Sequence, residues 1–109
     1  MKGYQITFFT RQDRKHGGTP IGEWLMQVAM ELKLPGATLM SAAEGFGKSR
    51  RIHSAHFFEF ADQPLEILIT ANEEQAATLF ARLAAAKIRL FYVKTSVEFG
   101  VLGDPGADG

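Results

Sequence analysis

LEILITANEEQAATLFARL, residues 65–83, changes its hydrophobic period partway along, and that change decides the fold. Leu65, Ile67 and Ile69 alternate with Glu66, Leu68 and Thr70, a period of two that predicts a strand. Asn72 stands three residues before Gln75, the spacing at which a capping box forms at a helix start. Ala76, Leu79, Phe80 and Leu83 then recur at helical spacing and make one apolar stripe. A strand therefore runs straight into an amphipathic helix.

Downstream, IRLFYVKTSVEF (88–99) predicts a last strand with Phe91, Val93, Val97 and Phe99 on one face. The glycine-rich stretch 100–109 is expected to be a flexible tail, which leaves 1–99 as the folded domain. Upstream, AHFFEF (55–60) reads as a short strand or as the returning arm of a loop. EGFGKSRRIHS (44–54) lacks periodicity and carries three cations within 48–51, so it reads as a long, mobile, basic connection. ATLMSAA (37–43) predicts a second strand.

The first third repeats the logic. YQITFFT (4–10) alternates, with Tyr4, Ile6 and Phe8 on one face and Gln5, Thr7 and Phe9 on the other. RQDRKHGG (11–18) reads as a charged loop. Thr19 followed by Pro20 predicts an N-cap and a first helical residue. Ile21, Trp24, Leu25, Val28, Ala29 and Leu32 supply the stripe of a helix that ends near Lys33, because Pro35 and Gly36 do not continue it.

The order β-α-β-β-α-β is the α+β, ferredoxin-like arrangement: an antiparallel sheet with two helices on one face. Ile6, Phe8, Ile67 and Ile69 face the helices. Phe9, Met40 and Leu68 are left on the opposite face, which is too apolar for comfort in water and predicts a homo-oligomer.

Composition narrows the function. The 109 residues are 46% apolar, enough for one domain, and twelve basic side chains balance twelve acidic ones. A net charge of zero gives no field to draw in nucleic acid or an anionic membrane, so any anion site must be local. The absence of cysteine removes disulfides, thiolate nucleophiles and cysteine-based metal sites, and with no leader-like layout it suits a cytoplasmic protein.

Gly45, Phe46, Gly47, Lys48, Arg50, Arg51 and His53 form the first candidate site. Paired glycines let backbone N–H groups turn around an anion, Lys48 adds a point charge and the arginines can fork onto phosphate oxygens. The alternative is a solvated loop whose charges only keep it soluble. The second candidate is the 11–18 stretch, where Arg11 and His16 precede a helix start that favours anions. Arg14 and Lys15 read as water-facing charges. His16, His53 and His56 raise a metal site, although His53 and His56 would point to opposite faces of a strand. Ser49 and Ser54 flank His53 without a triad pattern, so no enzyme is expected.

His16-Gly17-Gly18-Thr19-Pro20, Pro35-Gly36-Ala37-Thr38, Gly45-Phe46-Gly47, Arg51-Ile52-His53 and Asp62-Gln63-Pro64, in this order over residues 4 to about 95, resemble the uncharacterised family related to the PII nitrogen-regulatory signalling proteins. The resemblance implies a trimer whose sheets face the threefold axis and a long loop comparable to the PII T-loop. It also implies an adenine nucleotide (ADP, ATP or AMP) in clefts between subunits, no required cofactor, and a target such as a membrane transporter or metabolic enzyme. No tyrosine occurs in 45–54, so uridylylation is not implied. A trimeric divalent-metal-binding protein of the cation-tolerance type is the rival expectation, and a small enzyme acting on a phosphorylated metabolite is a third.

Overall fold

A computed structural model describes residues 1–41, 44–45, 53–54 and 64–103. In chain order the elements are β1 (Lys2–Arg11), β2 (Lys15–His16), β3 (Thr19–Pro20), α1 (Ile21–Glu31), β4 (Gly36–Ser41), β5 (Glu44–Gly45), β6 (His53–Ser54), β7 (Pro64–Asn72), α2 (Glu73–Ala85) and β8 (Phe91–Glu98). The large sheet has the order β4-β7-β1-β8, with every neighbouring pair antiparallel. Its elements follow the expected β-α-β-β-α-β order, and two short ribbons, β2–β3 and β5–β6, are added to it. The segment 55–60 and the end of the expected second strand, residues 42–43, lie outside the described residues.

Alternation along β1 and β7 sends Ile6, Phe8, Leu65, Ile67, Ile69 and Ala71 to the helix side. There they meet Ile21, Leu25, Val28 and Ala29 of α1 and Ala76, Leu79 and Leu83 of α2. Each large side chain so removed from water contributes about 1.5–3 kcal/mol. The sheet is thus covered on one face by both helices, as its period predicts.

The two helix starts differ. At α2 the capping box is complete: Gln75 N–H donates to Asn72 Oδ1 at 2.7 Å, and Asn72 N–H donates to Gln75 Oε1 at 2.9 Å. At α1 the expected cap is displaced by one residue. Gly17 and Gly18 have φ of 57° and 84°, the left-handed pair that closes a two-residue hairpin, and this turn draws Thr19 into pairing with His16. Pro20 becomes the N-cap with no side-chain acceptor, and the Ile21 N–H instead donates to the Arg14 carbonyl at 2.9 Å.

Both helices end alike. Lys33 and Lys87 adopt φ of 55° and 56°, and the next residues reach back: Leu34 N–H to the Ala29 carbonyl at 3.0 Å, Ile88 N–H to the Leu83 carbonyl at 3.3 Å. These are Schellman closures with lysine where glycine is usual. At the sheet's edge, Met1 and Phe99 exchange two hydrogen bonds, the Met1 amino group to the Phe99 carbonyl at 2.9 Å and the Phe99 N–H to the Met1 carbonyl at 2.8 Å.

The second face of the sheet stays uncovered among the described residues. Cross-strand register sets Met40, Glu66, Phe9 and Phe91 in one row and Thr38, Leu68, Thr7 and Val93 in the next. Phe91 and Val93 therefore join the expected Phe9, Met40 and Leu68, whereas Tyr92 and Lys94 turn to the helix side opposite Phe8 and Ile6. Phe91 is 67% exposed, far more than a packed phenylalanine. No helix among the described residues is long and apolar enough to cross a membrane.

Candidate functional site

Arg11, the last residue of β1, pairs with Pro64, the first of β7. Ser41, the last residue of β4, pairs with Leu65, and Phe91 at the start of β8 pairs with Phe9. The segment 12–20, the roots of the segment 42–63 and the entry to β8 are therefore attached at one end of the sheet. Sequence spacing alone does not say whether the two candidate loops leave from the same end of the sheet; the register roots both there.

At that end the first loop is tightly folded. Arg14 N–H donates to the Arg11 carbonyl at 3.2 Å, and Arg11 Nε lies 3.2 Å from Asp13 Oδ1, both side chains being over 30% exposed. His16, on the β2–β3 ribbon, packs its ring against Trp24 of α1 with centroids 4.7 Å apart. Arg14 Nη1 donates to the carbonyl of Arg89 at 2.9 Å, which ties the first loop to the entry of β8. The two residues are 75 positions apart, so no spacing rule connects them, and the water-facing expectation for Arg14 overlooked the contact.

For the second candidate, β5 and β6 set Glu44 beside Ser54 and Gly45 beside His53. The pairing brings the two ends of the glycine-rich and cationic stretch side by side. Phe46, Gly47, Lys48, Arg50 and Arg51 lie outside the described residues, as does His56. Arg11 and His16 are held on the body of the domain, at the end of the sheet where the segment carrying the other candidates is rooted. Among the described residues no three His, Cys, Asp or Glu side chains gather into a metal site.

Thr10 is buried at 8% exposure, and its Oγ1 has no hydrogen-bond partner among the described residues. A groove of about 460 Å³ opens at the opposite end, between β1, β8 and the start of α2. Glu73 and Glu98 outnumber Lys2 along it, the wrong balance for a phosphate.

Two helices on one face of a β4-β7-β1-β8 sheet, an open second face and a long segment rooted beside the first loop define the PII-like form of the ferredoxin-like fold. A PII-like signalling protein structure from Thermus thermophilus superposes with a TM-score of 0.65 at 15% identity, over 89% of this chain and 88% of that one. CPII, a nitrogen regulatory PII-like protein from Thiomonas intermedia K12 bound to ADP, AMP and bicarbonate, gives 0.57 at 17% identity over 89% of each chain. Residues 3–98 match DUF190 (Uncharacterized ACR), and the chain belongs to that family. The UPF0166 protein of Aquifex aeolicus (strain VF5) is 31% identical over 71 residues, 64% of this chain and 68% of that one.

Proposed function

We propose that the protein is a cytoplasmic, homotrimeric PII-like signalling protein that binds an adenine nucleotide between subunits and regulates a partner protein through the segment 44–54. The observation that carries this reading is the shared sheet end, where Arg11 and His16 stand beside the roots of the segment bearing Gly45, Phe46, Gly47, Lys48, Arg50, Arg51 and His53. A nucleotide phosphate sits against the backbone at Gly45 and Gly47 and is gripped by the cations of both segments. Ordering of residues 44–54 on binding is the signal, and a transporter or metabolic enzyme that recognises one state of the segment reads it. Binding suffices for such a device; no bond need be made or broken.

The uncovered sheet face supports the trimer, because packing three copies about an axis removes Phe9, Leu68, Phe91 and Val93 from water. ADP and AMP on CPII support the ligand class. Calorimetric titration with AMP, ADP, ATP and cyclic dinucleotides, together with light scattering, tests the reading. Heat from an adenine nucleotide on a particle three times the 12.0 kDa chain is the expected result. A monomer, or no heat at millimolar nucleotide, overturns it.

A further inference from the structure

The open face of the sheet carries a third row beside its two apolar ones. Gln5 of β1 pairs with Thr70 of β7 on one side and with Thr95 of β8 on the other, and Thr70 pairs in turn with Gly36 of β4. Each stands two positions along its strand from the row of Thr38, Leu68, Thr7 and Val93, so this row lies on the same face, about 7 Å further from the loop end. Gln5 is exposed although β1 is an inner strand. Among the described residues no side-chain hydrogen bond involves Gln5, Thr70 or Thr95.

Across the three rows Glu66 is the sole charged residue, in a chain that is 22% charged. The helices on the other side of the sheet carry Glu23, Glu31, Glu73, Glu74 and Arg82. A rotation axis sets identical groups against one another, so a charge placed there meets its own sign. A carboxamide or a hydroxyl bears both donor and acceptor and can pair with a copy of itself. Unlike partners are matched by complementary charge, which this face lacks. An uncharged, self-complementary row beside an apolar patch therefore fits a second copy of this chain.

We propose that Gln5, with Thr70 and Thr95 beside it, sets the register between copies, its carboxamide exchanging hydrogen bonds with the same row of its neighbours; the inference rests on the trimer reading above. Apolar contact is non-directional, so Phe9, Leu68, Phe91 and Val93 would pack nearly as well after a slide or a change in the number of copies. A polar row is different, because burying it unpaired is unfavourable and only one placement of the copies pairs it. Gln5 thus selects one assembly among those that the apolar rows permit, as a buried polar side chain does in other oligomers.

Light scattering on dilution of the full chain tests this with Gln5→Leu and Gln5→Glu, circular dichroism confirming the fold of each. Gln5→Leu keeps the size and removes the hydrogen bonds, and masses other than three chains are expected to appear with no loss in thermal midpoint. Gln5→Glu sets like charges together and is expected to raise the concentration at which the trimer dissociates by at least about tenfold. Gln27→Glu, which adds the same charge on the exposed side of α1, is expected to stay within twofold of the parent. If Gln5→Leu remains one trimeric species, or Gln5→Glu dissociates within twofold of the parent, Gln5 does not set the register and the trimer reading stands. A parent mass other than three chains removes both.

Discussion

Gly3 of β1 runs so close to Asn72 of β7 that a Cβ on Gly3 would lie 2.7 Å from the Asn72 Cα, and nearer still to the Ala71 carbonyl oxygen. Both obstacles are backbone, so the strands must separate to admit a methyl group. Gly3→Ala is expected to cost about 3 kcal/mol in a denaturant titration. Gly22 of α1 is the contrast: there a Cβ would meet the Leu39 Cδ1 at 2.7 Å, the far end of a side chain with solvent beside it. The gain in helix propensity of about 0.8–1 kcal/mol offsets moving that methyl, and Gly22→Ala is expected to be near neutral.

Thr10 offers a substitution of opposite sign. Its hydroxyl is buried without a hydrogen-bond partner among the described residues, and stripping water from an unpaired hydroxyl is unfavourable. Thr10→Val keeps the shape and removes the oxygen, and a stabilisation of about 1 kcal/mol is expected, read as a rise of several degrees in thermal midpoint. A lower midpoint would show that the hydroxyl is satisfied in solution.

The capping box at α2 is expected to be worth about 1 kcal/mol, lost in Asn72→Ala. Gln75→Ala removes the reciprocal bond and releases a different N–H, that of Asn72; because both bonds hold the same turn, the double variant is expected to cost less than the sum of the two. Chemical denaturation of the three variants measures this directly.

Val93 and Leu68 share a row on the open face, with Thr7 between them. Val93→Lys places a charge in the surface proposed to be shared between subunits, and burying it there is unfavourable by several kcal/mol. Light scattering is expected to show the mass falling toward 12.0 kDa while the helical circular dichroism is retained. An unchanged mass would mean that this face does not carry the assembly.

His16 has two roles that one substitution separates. Its ring packs on Trp24, a contact of the kind that contributes about 0.5–1.5 kcal/mol. His16→Phe preserves the stacking surface and removes both nitrogens. Stability is expected to hold while ADP affinity falls severalfold; an unaltered affinity would leave His16 as a packing residue alone.

How far the sequence carried can be seen at particular residues. Leu65, Ile67 and Ile69, the α2 stripe and the Asn72–Gln75 box act within a few positions of one another, so period and spacing are enough to place them. The open face was legible in part: Phe9, Met40 and Leu68 follow from alternation, but which side Phe91 and Val93 take depends on register with β1, a non-local property. The cap expected at Thr19 is displaced because the Gly17–Gly18 turn competes for that residue, and the hairpin wins over the simpler helix start. The end of the first helix near Lys33 follows from Pro35 and Gly36, but the left-handed lysine that closes each helix left no signal, since lysine is rarely chosen for a left-handed backbone. The Arg14–Arg89 contact spans most of the chain and is visible only once the sheet order brings the two turns to one end. The basic stretch is legible as a composition, and its neighbours only as a topology.

The reciprocal bonds between Met1 and Phe99 carry a practical meaning for engineering. The beginning of the first strand and the exit from the last are already neighbours, so a short linker can splice them with little strain, and new ends can be opened at Gly17–Gly18 instead. A circularly permuted form of this kind would carry its free ends beside the first loop, where fused reporters would sense ligand arrival and leave the open sheet face unobstructed.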